Sequence, residues 1–236
     1  MERLHALVCA GTGCTSSQSA LIIEKLNEEL SKYGLEKEVK IVKTGCFGLC
    51  QKGPIMAIYP DKIFYCHVTL DDVAEIVSEH FYKGRPVKRL ELSDIDEVTK
   101  EKIFEMIALK NCGVINPEDI NEYIAKDGYQ ALGKVLTEMS QQEVIDEIKK
   151  SGLRGRGGGG FPTGIKWQFA ADQTSDEKYV ICNADEGDPG AFMDRSILEG
   201  DPHLVLEAMA IAGYAIGAKH GYVYIRAEYP IAVERL

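Results

Sequence analysis

The sequence has no long hydrophobic run, since no stretch approaches the roughly 18 apolar residues that a membrane-spanning helix needs. No secretory signal precedes the first apolar segment, so we expect a cytoplasmic protein without direct membrane insertion. Basic residues are scarce relative to acids, 27 against 37, and the formal net charge is −10. Because such a charge repels nucleic acid and anionic lipid surfaces, neither is expected as a partner.

The seven cysteines include no Cys-x-x-Cys pair, which argues against thioredoxin-type redox chemistry. In a reducing compartment they are not expected to form disulfides. Four of them fall into two pairs, Cys9-x4-Cys14 and Cys46-x3-Cys50, each where a predicted strand runs into a glycine-containing loop. Two loops at the same end of adjacent strands can bring four thiolates together, which suits either zinc or an iron–sulfur cluster. The remaining cysteines have no partner spacing and are expected to be small buried side chains, namely Cys66, Cys112 and Cys182.

Hydrophobic periodicity predicts an α/β protein in three parts. Residues 1–84 show the element order of a thioredoxin-like fold, with strands over 4–9, 38–43, 55–59 and 62–65 and helices from about 17 and over 70–82. Residues 85–150 are predicted to be a linker and helical segment, with a linker passing into a polar helix over 85–110 and a helical region over 116–150 with Asn116 as N-cap. Residues 151–236 form the beginning of a second α/β domain, with strands at 179–182 and 222–225 and helices over 201–217 and from 229.

A run of seven glycines between Ser151 and Lys166 opens the second domain. Glycine backbone lets main-chain N–H groups converge on an anion or a flat ring, while Arg154, Arg156 and Lys166 supply positive charge. The run matches Gly-x-Gly-x-x-Gly, but a helix rather than a strand precedes it, so a Rossmann fingerprint is excluded. A P-loop is excluded as well, because Ile165 separates Gly164 from Lys166 and no Ser or Thr follows the lysine.

An acidic loop, Asn183-Ala-Asp185-Glu186-Gly-Asp188, follows the predicted strand at 179–182. Ligands of α/β folds bind at the carboxyl ends of strands, where these side chains can accept hydrogen bonds from hydroxyls or amides. A calcium loop is disfavoured because the alternating ligand spacing is missing, and a solvated turn is the remaining alternative.

The glycine run and the segment Tyr179–Arg195 closely resemble the NADH-binding flavoprotein subunit of respiratory NADH dehydrogenase. They resemble even more its relatives in NAD(P)-linked iron-hydrogenases and formate dehydrogenases, which carry a thioredoxin-like [2Fe–2S] domain in front. The cysteine pattern is similar to that of thioredoxin-like [2Fe–2S] ferredoxins, which implies that the cluster ligands are Cys9, Cys14, Cys46 and Cys50.

The resemblance also implies the flavin and nucleotide contacts. The residues implied to hold FMN are Gly155, Arg156, Gly157, Gly158, Gly159, Lys166, Asn183, Asp185 and Glu186. The nicotinamide nucleotide is implied to stack on Phe161 and Phe169 and to face Asp188. No catalytic acid or base is expected, because the protein's task is to hold two rings in contact.

By resemblance, the chain is an oxidoreductase subunit, an NAD(P)H dehydrogenase passing electrons between NAD(H) or NADP(H), FMN and iron–sulfur clusters. Its implied partners are a second [2Fe–2S] thioredoxin-like subunit and a hydrogenase or dehydrogenase catalytic subunit. The family continues with a Gly-Glu-Glu-Thr loop, a β-grasp domain and a [4Fe–4S] domain, none of which this sequence encodes. The flavin pocket is therefore expected to be incomplete in this chain, and the sequence leaves open whether the chain alone binds FMN and is active. The alternative is a non-enzymatic [2Fe–2S] electron carrier whose second domain only docks a partner.

Overall fold

The computed structural model describes residues 3–92 and 107–236, which divide into two compact units. The first unit contains the described residues up to Glu122 together with Phe192–Pro202 and Tyr229–Leu236, and the second contains Tyr123–Ala191 and His203–Glu228. The acid-rich centre of the predicted linker, residues 93–106, lies outside the described residues. The domain boundaries at 84 and 150 stay predictions.

The first unit contains a four-stranded sheet in the order β2-β1-β3-β4. Its strands are β1 (Leu4–Cys9), β2 (Val39–Thr44), β3 (Met56–Tyr59) and β4 (Ile63–Tyr65). Strand β1 pairs in parallel with β2, with Cys9 opposite Thr44, and antiparallel with β3. The predicted strands are confirmed to within one or two residues, and so is the adjacency of the strands that lead into the two cysteine loops.

Helices α1 (Thr12–Ser16), α2 (Ser19–Tyr33) and α3 (Asp72–Glu75), the last continued by a π-helix over Ile76–Tyr82, complete this thioredoxin-like arrangement. Alternate residues of β1 and residues spaced three to four apart on α2 point to the same side and form one common core. That core includes Leu4, Ala6, Val8, Ile22, Leu26 and Leu30. The predicted thioredoxin-like fold is confirmed, although α1 was not predicted.

The first unit also takes in segments from later in the chain. Helices α8 (Met193–Gly200) and α10 (Pro230–Arg235) pack against each other within it. The predicted helix start at Asn116 is wrong, because the Asn116 side chain accepts a hydrogen bond from the Glu118 N–H at 3.1 Å and forms a turn. Helix α4 begins later and spans Ile120–Ile124. The Asn116 side chain thus accepts a hydrogen bond from a nearby backbone N–H in a turn and does not cap a helix.

The second unit joins four helices to a pair of parallel strands. Its elements are α5 (Gln130–Glu138), α6 (Gln141–Ser151), α7 (Thr163–Ala171), β5 (Tyr179–Ala184), α9 (Pro202–Ile216) and β6 (His220–Ile225). Val135, Val144, Ile145 and Ala215 form its core with Trp167 packed against them. The region predicted to be helical over 116–150 contains three helices, and both predicted strands are confirmed. Helix α7 was not predicted.

Candidate cluster and flavin sites

The two parallel strands β1 and β2 deliver the four paired cysteines to one edge of the sheet. Cys9 is in hydrogen-bonding contact with both Cys14 and Cys46, and the Sγ atoms of Cys46 and Cys50 are 3.5 Å apart. The thiols thus form a chain in the order 14, 9, 46, 50. Cys9, Cys14 and Cys46 are buried, whereas Cys50 is exposed. In residues 3–92 and 107–236, no three or more Cys, His, Asp or Glu side chains surround a position for one metal ion.

Mutual contact and burial control the protonation of these thiols. The hydrogen bond with Cys14, together with burial, raises the pKa of Cys9 to about 11, although Cys46 opposes the shift. The bond with Cys9 raises the pKa of Cys46 and lowers the pKa of Cys14. Since cysteine ligands bind metals as thiolates, any metal or cluster bound by these residues would have to displace protons from Cys9 and Cys46.

Glycines leave the space that the four thiols occupy. A β-carbon added to Gly53 would lie 2.8 Å from the Sγ of Cys14, and one added to Gly11 would lie 3.0 Å from the Cys46 β-carbon. Gly45, directly before Cys46, would meet the Cα of Gly200 at 2.4 Å. Any side chain at these positions would displace a ligand loop, so the glycines fix the cysteine positions by close backbone approach.

Glu199 and Arg235, both distant in sequence, hold the first cysteine loop, and neither was predicted to do so. The Glu199 carboxylate accepts hydrogen bonds from the Thr12 N–H at 2.9 Å and from the Thr12 hydroxyl. Arg235, almost fully buried, donates to the Ala10 carbonyl at 3.4 Å and to the Glu199 carbonyl. In the sequence, each of these residues is a charged side chain near the end of a short helix. Such a side chain is ordinarily exposed to solvent, so the sequence did not reveal the buried contact.

The glycine run forms a closed loop between α6 and α7. Backbone bonds from Gly155 N to Phe161 O and from Thr163 N to Leu153 O, both 2.9 Å, close its base. A β-carbon added to any of its four consecutive glycines, Gly157, Gly158, Gly159 and Gly160, would meet nothing within 4 Å. Gly158 has φ +95° and Gly160 φ +59°, conformations that L-residues rarely adopt. The loop is an exposed backbone surface with room for a ligand.

The predicted charged and aromatic contacts lie beside this loop. Arg156 is exposed in the loop itself, and Lys166 is exposed in the first turn of α7. The rings of Phe161 and Phe169 have centroids 6.4 Å apart at an interplanar angle of 47°. The structure therefore brings together the two aromatic residues predicted to contact nicotinamide.

The acidic loop follows β5 directly and is held by separate hydrogen bonds. The Asn183 side chain accepts a bond from the Asp185 N–H at 3.2 Å, and Arg226, which follows β6, donates to the Glu186 carbonyl. Glu186 is buried, whereas Asn183, Asp185 and Asp188 are exposed. Arg226 was not among the predicted site residues. It directly follows the strand that pairs in parallel with β5, so its position at the same end of the sheet as the acidic loop could have indicated this role.

Two families match this chain over separate parts. Residues 1–80 match the thioredoxin-like [2Fe–2S] ferredoxin family, and residues 148–236 match the Nuo51 FMN-binding domain. The first match contains the four cysteines, and the second contains the glycine loop and the acidic loop.

Curated relatives are redox-enzyme subunits. The NADP-reducing hydrogenase subunit HndC of Solidesulfovibrio fructosivorans is 64% identical over 58% of this chain and 28% of that protein. An NADH-quinone oxidoreductase subunit of Rhizobium meliloti is 48% identical over 57% of this chain and 32% of that protein. The NAD-reducing hydrogenase HoxS subunit alpha of Cupriavidus necator is 37% identical over 79% of this chain and 30% of that protein.

The fold and the two sites define a protein with a thioredoxin-like [2Fe–2S] ferredoxin domain followed by an FMN-binding domain. The curated relatives named above, which are NADH- and NAD(P)-linked enzyme subunits, are similar to this chain in the way its motifs predict. It spans less than a third of the length of the three relatives named.

Proposed function

We propose that this chain passes electrons between NAD(P)H, FMN and a [2Fe–2S] cluster as part of a larger redox enzyme. The observation that carries the proposal is the presence, in one chain, of a four-thiol chain at a sheet edge and an open glycine loop beside two aromatic rings. FMN, when bound, accepts a hydride and releases its electrons singly.

The cysteines suit a binuclear cluster better than a single zinc ion. Structural zinc requires four ligands arranged tetrahedrally about one point. The four thiols instead contact one another as two linked pairs, and no three ligands in the described ranges surround a position for one ion. We propose Cys9, Cys14, Cys46 and Cys50 as the [2Fe–2S] ligands.

The second unit supplies residues for binding and orientation. The glycine loop offers backbone N–H groups and open space to FMN, and Arg156 and Lys166 offset the charge of its phosphate. Phe161 and Phe169 present ring faces for a nicotinamide. The acidic loop would complete one side of the flavin site, where Asn183, Asp185 and Glu186 would make polar contacts with FMN and Asp188 would face the nucleotide.

We also propose that this chain is one subunit of a multi-subunit complex. The named relatives are subunits of hydrogenases and of NADH-quinone oxidoreductase, which supports a multi-subunit redox complex here. The proposed partners are a second [2Fe–2S] thioredoxin-like subunit and a hydrogenase or dehydrogenase catalytic subunit. Among the described helices, none is long and apolar enough to cross a membrane. The cytoplasmic location stays a prediction.

Anaerobic addition of NADH to the purified, FMN-loaded protein tests the proposed function. We expect the flavin absorbance to bleach on addition of NADH or NADPH, because the aromatic pair lies next to the glycine loop. The control is dithionite, which reduces a bound flavin without using the nucleotide site. A flavin that dithionite bleaches and neither nucleotide bleaches would contradict the proposed dehydrogenase function.

A further inference from the structure

A buried charge pair lies beside the cysteine loops of the first unit, outside the four ligands. Arg195 and Glu199 occupy successive turns of α8, with Nε and Oε1 4.0 Å apart, and their side chains are 14% and 1% exposed. The Arg195 guanidinium lies over the Phe192 ring at 4.4 Å and 5.8 Å from the centroid of Tyr229. Buried charges interact through a less polar medium than water, so this pair acts over longer distances than a surface pair.

Glu199 lies close to the loops that carry Cys14 and Cys46. Its carboxylate is bonded to Thr12, two residues before Cys14 in the same short helix. A β-carbon on Gly11 would lie 3.4 Å from Glu199 Oε2 and 3.0 Å from the Cys46 β-carbon. The Glu199 carboxylate and the proposed ligand Cys46 therefore lie on either side of Gly11, where there is no side chain between them.

Arg195 supplies the positive charge of the pair next to these loops. Its Nε lies 4.0 Å from the carboxylate of Glu199, which is itself bonded to Thr12 in the first cysteine loop. The two members of the charge pair thus influence the four-thiol chain with opposite signs.

We propose that the Arg195–Glu199 pair sets the reduction potential of the [2Fe–2S] cluster, with Arg195 raising the potential and Glu199 lowering it. Both residues belong to the segment that matches the FMN-binding family, so that segment tunes a cluster held by the ferredoxin segment. The inference rests on the proposed cluster function.

The signs follow from the charge that the cluster gains. Four thiolates and a [2Fe–2S] core become more negative by one elementary charge on one-electron reduction, and cluster potentials respond to nearby charge. A neighbouring cation stabilises the reduced form, and a neighbouring anion destabilises it. Removing Arg195 must therefore lower the potential, and removing Glu199 must raise it.

An EPR-monitored redox titration with dithionite, on the full chain, tests this pair. R195Q is expected to shift the midpoint downward and E199Q upward, each changing the ratio of reduced to oxidised cluster at fixed potential about tenfold, or about 59 mV. The double variant R195Q/E199Q is expected to lie between the two single variants. The conservative R195K keeps the charge and is expected to retain a midpoint close to that of the unmodified chain.

Arg3→Gln is the matched control, because it removes an arginine that pairs with Glu38. Arg3 precedes β1 and so lies roughly 20 Å along that strand from Cys9. R3Q is expected to leave the midpoint unchanged. Iron and sulfide are measured in every variant, so that cluster loss is not mistaken for a potential shift.

Shifts of the same sign in R195Q and E199Q, or no shift in either, would overturn the inference while leaving the cluster itself intact. A parent chain that holds no iron or sulfide would contradict the proposed function, and this inference with it. If R195Q does not accumulate, E199Q alone decides the question, since its expected shift has its own sign.

Discussion

The variant Cys9→Ala is expected to lose the iron–sulfur cluster, with iron and acid-labile sulfide falling below about a tenth of the parent value. Cys9 contacts both Cys14 and Cys46, so it joins the two cysteine pairs. Alanine removes the sulfur without offering oxygen as a substitute ligand. Iron and sulfide analysis, together with the visible absorbance of the purified protein, measures the loss.

Cys182→Ala is the matched control for this experiment. Cys182 is a partly buried cysteine in β5 of the second unit and has no role in the proposed cluster. Its variant is expected to keep the parent iron and sulfide content. A C9A protein that retains the full content would show that the proposed ligand set is wrong.

Gly158→Val is expected to weaken FMN binding at least about tenfold. Gly158 has φ +95°, where a β-branched residue is strained, and an added side chain would enter the open space of the loop. Both effects act on the same surface, because the loop backbone must approach the flavin closely. Equilibrium binding of FMN, followed by quenching of flavin fluorescence, gives the change in affinity.

Gly133→Ala provides the comparison for that variant. Gly133 lies within α5, where an added β-carbon meets nothing within 4 Å and φ is not positive. Alanine is the better helix former, so this variant is expected to bind FMN normally and to melt at an equal or higher temperature. Unchanged FMN affinity in a folded G158V protein would remove the glycine loop from the proposed flavin site.

Sequence patterns predicted the ferredoxin-like part well because its signals are local. The apolar run ending at Cys9 and the alternation before Thr44 defined two strands, and their parallel pairing brings both cysteine loops to one edge. The glycine run was likewise recognisable, because consecutive glycines imply backbone conformations that other residues avoid.

The remainder depends on contacts distant in sequence, which periodicity does not encode. The short helix α1 has no side-chain cap of its own, and its first N–H is bonded instead by Glu199, which lies 187 residues later. The role of Arg235 at the Ala10 carbonyl is equally remote. The predicted helix start at Asn116 was wrong for the opposite reason, because a favourable local capping pattern formed a turn.

Quantification of iron, sulfide and flavin in the purified protein, after incubation with FMN, tests the central claim that one chain carries both cofactors. The account predicts about two irons and two sulfides from one [2Fe–2S] cluster, together with about one FMN per chain. Two irons without flavin would contradict it and indicate an electron carrier. A colourless, zinc-containing protein would contradict the cluster as well.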